Sequence, residues 1–304
     1  MKLELTKTNI DREKESIMQL VSAIITTRNR SQLLRKAIES VLSQTYKELE
    51  CVVVDDSSTD DTRQVCSEYP VRYIYIPKEE SRGGNYARNL GVKASKGEYV
   101  AFLDDDDYWL SAKIEKQLAL LEDKKCEMVY CMRRYQNIEN GQVVKEWEEP
   151  RPKPQGDLRD EIFRHYITNT SCILATKSLI EQIGGFDENL RKWQEYDLMI
   201  RAAQVSEIYY VNENLCVYRN DNEDKNRISN DFNRITDTVK KISQKYWGRI
   251  RILPLRTKFY FMGMCIEDSY ILAMKTNHLF YRCLLFLPHR LYRKLAEYPW
   301  GSKS

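Results

Sequence analysis

Glu50-Cys-Val-Val-Val54, followed without a break by Asp55-Asp-Ser-Ser-Thr-Asp60, is the stretch on which the reading of this chain turns. A continuous β-branched run has no polar face to offer water, so it fits a strand buried on both sides, as in the middle of a parallel sheet. The polar run behind it supplies Ser, Thr and Asp side chains that cap a following helix. Upstream, Val21-Ser-Ala-Ile-Ile25 reads as a short buried strand that ends in a polar loop, Thr26-Thr-Arg-Asn-Arg30. Leu33, Leu34, Ala37, Ile38, Val41 and Leu42 then recur at helical spacing. Downstream the pattern repeats: a strand over 71–76, a loop over 81–84, a helix over 85–94, and a strand over 98–103 closed by Asp104-Asp-Asp-Asp107. Ile114, Leu118 and Leu121 mark the next helix. Strands and helices alternating at this interval predict an α/β fold around a mainly parallel sheet.

The rhythm breaks at 146–156 (EWEEPRPKPQG), whose three prolines predict a loop. Beyond it, 171–175 and 208–211 read as strands. Ile228, Phe232, Ile235, Val239, Ile242 and Tyr246 predict a long amphipathic helix. The division that results is a peripheral arm (1–19), one α/β domain (20–220) and a helical extension (221–304).

Composition narrows the function classes. At 304 residues, 42% hydrophobic and 31% charged, the chain has the make-up of a folded globular protein. A net charge of +3 implies no nucleic-acid field. The charge is unevenly spread, because residues 241–304 hold 12 Lys/Arg against 3 Asp/Glu and the rest is net acidic. No apolar run reaches the length of a membrane span. The polar start lacks the apolar core of a secretory signal, which points to the cytoplasm. The 8 cysteines form no CxxC pair and only 3 histidines exist, so buried free thiols are expected rather than a zinc site.

In an open α/β sheet, ligands bind beyond the carboxyl ends of the strands. Three successive strand ends carry polar clusters: 26–30, 55–60 and 104–107. The last is the sharpest. Four adjacent carboxylates repel one another unless a cation compensates, and hard divalent ions share oxygen ligands with substrate phosphates. A solvated acidic turn, with Asp107 capping the next helix, is the plain alternative. Aspartate-rich diphosphate sites of isoprenoid synthases lie on helices, whereas this run follows the strand-like YVAFL.

Three strings carry a family resemblance: VSAIITTRNRSQLLRKAIESVLSQTYKELECVVVDDSSTDDT (21–62), GGNYARNLGVKASKGEYVAFLDDDDYW (83–109) and GGFDENLRKWQEYDLMIRAA (184–203). Together they closely resemble family-2 glycosyltransferases over roughly residues 20–220. The resemblance implies a Rossmann-like GT-A fold, a nucleotide-diphospho-sugar donor, a divalent ion (Mn²⁺ or Mg²⁺) and an inverting hexosyl or N-acetylhexosaminyl transfer. It places Thr26 and Arg30 along the nucleotide and diphosphate, Asp56 on a uracil ring, hence a UDP-sugar, and Arg88 in support of the donor. Asp104 and Asp106 match the outer positions of a DxD motif and are the metal-ligand candidates, with Asp106 the more direct; Asp105 falls to the ribose. The catalytic base falls on Glu195, where the family more often has aspartate. Asp197 is the alternative base, but two residues along a helix turn a side chain by about 200°, and Arg201 offers it an i,i+4 ion pair.

The stretches 249–262 (RIRILPLRTKFYFM) and 278–295 (HLFYRCLLFLPHRLYRKL) mix basic, aromatic and aliphatic residues. That profile predicts an interfacial segment on anionic lipid, competing with a helical hairpin packed on the domain. By analogy the acceptor is a polyprenyl-diphosphate-linked or surface glycan, met at the inner face of the cell membrane. A non-catalytic nucleotide-sugar-binding subunit of a glycan assembly complex is the competing class; turnover separates the two.

Overall fold

The computed structural model describes residues 19–149, 152–221 and 232–275. Residues 1–18 of the expected arm (1–19), the end of the extension (276–304, with the second basic-aromatic stretch) and Ile228 lie outside the described residues.

Strands β1 (Val21–Thr27), β2 (Leu49–Asp56), β3 (Arg72–Ile76) and β4 (Tyr99–Asp104) form a parallel half-sheet in the order β3-β2-β1-β4. Helices α1 (Ser31–Leu42), α2 (Thr62–Ser67) and α3 (Gly84–Ala94) make its crossovers. β1 and β2 run further than their apolar letters. Pairing on both sides of β1 carries through Thr26↔Asp104 and Thr27↔Asp55, so the expected polar loop begins at Arg28. Thr is β-branched and accepts the extended backbone. Asp60 serves two helices: Oδ2 accepts from the Ser31 N–H that opens α1 (3.0 Å), and Oδ1 from Thr62 N–H (3.1 Å). At Gly91 of α3 an added Cβ would meet Ile24 Cγ2 at 2.5 Å, so this helix reaches the sheet only because it carries no side chain there.

The second half of the sheet turns mixed. β8 (Ile173–Thr176) runs antiparallel to β4 and to β6 (Met128–Glu139), and β9 (Ile208–Asp221) runs parallel to β6. The two-residue β5 (Tyr108–Trp109) pairs with Cys216–Val217 of β9, and β7 (Gln142–Glu148) folds back on β6. Two expectations are corrected here. The proline-rich segment starts later than the composition implies, because β7 runs to Glu148. β9 is far longer than 208–211: its pairing with β6 continues to Asp221, with Leu215, Cys216 and Val217 buried along the way. The β6–β7 hairpin adds to the expected elements; its turn is Asn140-Gly141, both at positive φ (49° and 74°), the strongest short hairpin signal.

Both faces of the sheet are covered. Helices α1 and α4 (Lys113–Lys124) seal one. The other is sealed by α3, α5 (Lys177–Gln182), α6 (Gln194–Ala203) and α7 (Phe232–Lys245). Helices α8 (Trp247–Ile250) and α9 (Leu255–Lys275) complete that layer: Ile250, Leu253, Phe261, Met264 and Cys265 are buried in the core that holds Ile24 and Phe102. The first basic-aromatic stretch is therefore not wholly interfacial, because half of it packs inward. Among the described residues, Trp247 (62% exposed) just before it and Ile252 (65%), Leu255 (83%) and Met262 (61%) within it are turned to solvent. No helix among the described residues is long and apolar enough to cross a membrane. The free cysteines among them are all buried.

Candidate active site

The sheet register aligns the three polar strand ends. Thr26 of β1 stands between Val54 of β2 and Asp104 of β4, and Thr27 stands beside Asp55. Strain collects at this edge. Five non-glycine residues among those described have positive φ, and three belong to the site: Asn29 after β1, Ser57 after β2 and Trp193 before α6. Such backbone costs free energy and persists where the surroundings dictate it.

The four aspartates alternate as a strand would. Asp105 and Asp107 point inward and are buried, while Asp104 and Asp106 are part-exposed, with side chains 28% and 19% accessible. Each inward carboxylate has its own partners. Thr27 Oγ1 (2.7 Å) and Arg30 Nη1 (3.0 Å) donate to Asp105. Ser171 Oγ (2.6 Å), Asn169 Nδ2 (3.3 Å) and Arg219 N–H (3.2 Å) donate to Asp107. Asp107 does not cap α4, whose first residue is Lys113. Burial, then the charge of Asp106, pushes the Asp105 carboxyl up to about 7; burial and both outer aspartates push Asp107 well above the usual range.

The outer pair faces arginines. Arg88 Nη2 donates to Asp104 Oδ1 at 2.6 Å, and Arg30 Nη1 lies 3.4 Å from Asp106 Oδ2. Arg88, expected near the donor, thus lies against Asp104. Among the described residues no three His, Cys, Asp or Glu side chains converge as a complete metal cage. The arrangement fits a divalent ion of another kind. Two outward carboxylates are hard oxygen donors, and an ion such as Mg²⁺ takes one or two of these and fills the remainder with phosphate and water.

Asp56 ends β2 at 5% exposure. Its Oδ1 is buried without a partner, and its Oδ2 lies 3.7 Å from the Arg28 guanidinium. An acceptor oxygen left bare in this way suits an incoming N–H.

Glu195 is the second residue of α6, a helix that begins directly after the left-handed Trp193. It is 5% exposed, the Tyr166 hydroxyl donates to its Oε1, and Oε2 has no partner. Burial, then the charge of Asp104, pushes its carboxyl up to about 7, against the opposing pull of Arg88 and Arg133. Asp197 faces the other way. It is wholly buried, and Arg201 Nε and Nη2 (2.9 and 2.7 Å), Tyr246 Oη (2.7 Å) and Lys245 Nζ (2.7 Å) surround its carboxylate.

Sequence reasoning missed several parts of this frame. Ser171 joins Asp104 N–H (3.1 Å) to Asp107. Asn85 donates to Asp187 O and Leu190 O (2.8 and 2.9 Å), and Asn89 exchanges hydrogen bonds with the backbone of Phe186 (2.8 and 2.9 Å). These two lock the 185–190 loop that leads into α6. Polar residues at i, i+3 and i+4 on the inward side of α3, with Arg88 among them, were the available signal.

A protein-family model described as glycosyl transferase family 2 matches residues 22–184. The chain belongs to that family. Among its relatives, an uncharacterized glycosyltransferase of Rickettsia typhi is 35% identical over 199 residues, 64% of this chain and 62% of that protein. WfaP of Escherichia coli, a UDP-Glc:α-D-GlcNAc-diphosphoundecaprenol β-1,3-glucosyltransferase, is 43% identical over 114 residues, 37% of this chain and 45% of that one. The chain thus spans less than two thirds of these relatives. Among solved structures, mannosyltransferase PcManGT of Pyrobaculum calidifontis with GDP-Man and Mn²⁺ superposes with a TM-score of 0.59 at 18% identity, over 91% of this chain and 83% of that one. Staphylococcus aureus TarS 1–349 with UDP-GlcNAc gives 0.55 at 17% identity, over 90% of each. These likenesses identify the GT-A fold.

Proposed function

We propose that this family-2 protein transfers a hexose or N-acetylhexosamine, with inversion, from a UDP-sugar to the hydroxyl of a lipid-linked or surface glycan. The observation that carries the reading is the pairing, at one sheet edge, of an outward Asp104/Asp106 pair with a buried glutamate, Glu195, that keeps one oxygen bare. Asp56 receives the uracil N–H on its unpartnered Oδ1. Thr26 and Arg30 line the nucleotide and diphosphate, with Asp105 toward the ribose. Asp106, with Asp104 beside it, would hold Mn²⁺ or Mg²⁺, which when bound would offset the charge of the departing nucleoside diphosphate. Glu195 takes the proton of the acceptor hydroxyl as that oxygen bonds to the anomeric carbon from the face opposite the leaving group. Asp197 has no such role, since its carboxylate is spent on Arg201, Lys245 and Tyr246.

The acceptor class is supported by the E. coli relative, whose name specifies a diphosphoundecaprenol substrate. The same reading places the protein at the inner face of the membrane, docked through the bare side of α8 and α9. Trp247, Ile252, Leu255 and Met262 are exposed there beside Arg251 and Arg256, the mixture that binds anionic lipid interfaces. The experiment is release of UDP, GDP or TDP from a panel of nucleotide sugars with Mn²⁺. Uridine donors are expected to be used; turnover of guanosine donors alone would overturn the donor assignment, and no metal-dependent turnover with any donor would favour a non-catalytic subunit.

A further inference from the structure

Glu195 carries a hydrogen bond that its own helix does not supply. The hydroxyl of Tyr166, 29 residues earlier, donates to Oε1, while Oε2 is buried without a partner. Tyr166 is itself held. Its ring tilts against Tyr196 at 6.1 Å, and Tyr196 in turn meets Trp193 edge-to-face at 5.6 Å. Trp193 is the strained residue that opens α6, and Tyr196 follows Glu195 directly, so the residues flanking the carboxylate also brace the phenol on it. Tyr166 also lines a cavity of about 570 Å³.

We propose that Tyr166 is a positioning residue for the base: its O–H fixes Oε1 and leaves Oε2 as the oxygen that accepts the proton of the acceptor hydroxyl. The proposal rests on the reading of Glu195 as that base. A glutamate side chain has three rotatable bonds, and an untethered one samples orientations that aim neither oxygen at the acceptor. The same hydrogen bond favours the ionised carboxylate. The charged groups acting on Glu195 come from three other elements: Asp104 of β4 disfavours its charge, while Arg88 of α3 and Arg133 of β6 favour it. Tyr166 joins the second group through a neutral donor that touches the carboxylate directly. Its loss therefore loosens the orientation of the carboxylate and disfavours its charge, while the donor and metal residues stay in place.

The test uses full-length protein labelled with ¹³Cζ-tyrosine, with the Tyr166 signal assigned by its disappearance in Tyr166→Phe. In the wild type the Tyr166 signal is expected to shift with a midpoint near pH 7, following ionisation of Glu195, and to stay flat there in Glu195→Gln. A flat signal in the wild type, or an unchanged titration in Glu195→Gln, overturns the proposal whatever the donor. A kinetic arm follows UDP release from UDP-glucose and UDP-N-acetylglucosamine with Mn²⁺. Tyr166→Phe is expected to move the acidic limb of the rate profile to higher pH and to lower the plateau, with UDP affinity unchanged. Should Glu195→Gln keep wild-type turnover, the base assignment falls. Should Glu195→Gln be inactive while Tyr166→Phe keeps the wild-type limb, only the role of Tyr166 falls.

Discussion

Arg88 donates to Asp104 at 2.6 Å from a guanidinium that is almost wholly buried. This bond joins α3 to the acidic strand end, and the neighbouring Asn85 and Asn89 join the same helix to the loop before Glu195. One helix thus sets the spacing between the carboxylates assigned to the metal and the one assigned to the base. Removing one partner of a buried ion pair typically costs about 3–5 kcal/mol; Asp104 is part-exposed, so the lower end applies. Arg88→Ala is expected to lose about 3 kcal/mol in urea unfolding. A loss under about 1 kcal/mol would show that the pair does not organise this edge.

Asp106→Ala is expected to lower metal-dependent UDP release by at least about a hundredfold, the loss usual when a charge-stabilising group is removed, while the urea midpoint stays near wild type. Chelation with EDTA should abolish the wild-type reaction, and added Mn²⁺ should restore it. Full turnover in EDTA would exclude the metal role.

Asp56 keeps a buried oxygen with no partner. A hydrogen bond to a charged group contributes about 1.5–3 kcal/mol, so Asp56→Ala should weaken UDP binding by about 10- to 100-fold. Calorimetry should also give tighter binding of UDP than GDP to the wild type. Equal affinities would remove the basis for a uridine donor.

The bare face of α8 and α9 predicts vesicle binding. Wild-type protein should sediment with phosphatidylserine-containing vesicles and not with purely zwitterionic ones. Trp247→Ser and Leu255→Ser should each reduce binding by at least about tenfold, since a buried large apolar side chain contributes roughly 1.5–3 kcal/mol. Unchanged sedimentation of both variants would assign this face to another contact.

Much of the site was legible because its chemistry sits at strand ends. Val52, Val53 and Val54 announce a central strand, and Asp56 must then lie at its carboxyl edge, whatever the tertiary detail. What escaped reading depends on contacts between distant segments. Tyr166 is an ordinary aromatic in sequence and acquires a role only when the chain before β8 brings it against α6. Ser171 is one serine among many until it bridges Asp104 and Asp107. Thr26 and Thr27 read as loop because polarity outweighed β-branching, although pairing with strands on both sides extends β1 through them. The β6–β7 hairpin was obscured because it rises beyond the core: β7 is exposed along its length, which removes the apolar pattern that marks a strand.

In the proposed reaction Glu195, and not Asp197, takes the acceptor proton. Two residues on one helix, one with a bare oxygen and the other ringed by Arg201, Lys245 and Tyr246, give opposite expectations. A base must be ionised to act. With the Glu195 carboxyl pushed up to about 7, the wild-type rate should rise as pH increases through that value. Asp197→Asn should cost about 3 kcal/mol of stability, from a fully buried carboxylate with charged partners, with little effect on the chemical step. The direct measurement is single-turnover transfer by Glu195→Gln and Asp197→Asn side by side, with UDP affinity recorded for each. Glu195→Gln is predicted to slow the chemical step by at least about a hundredfold at unchanged UDP affinity. A Glu195→Gln enzyme that keeps its chemical step while Asp197→Asn loses it would contradict the account and exchange the two roles.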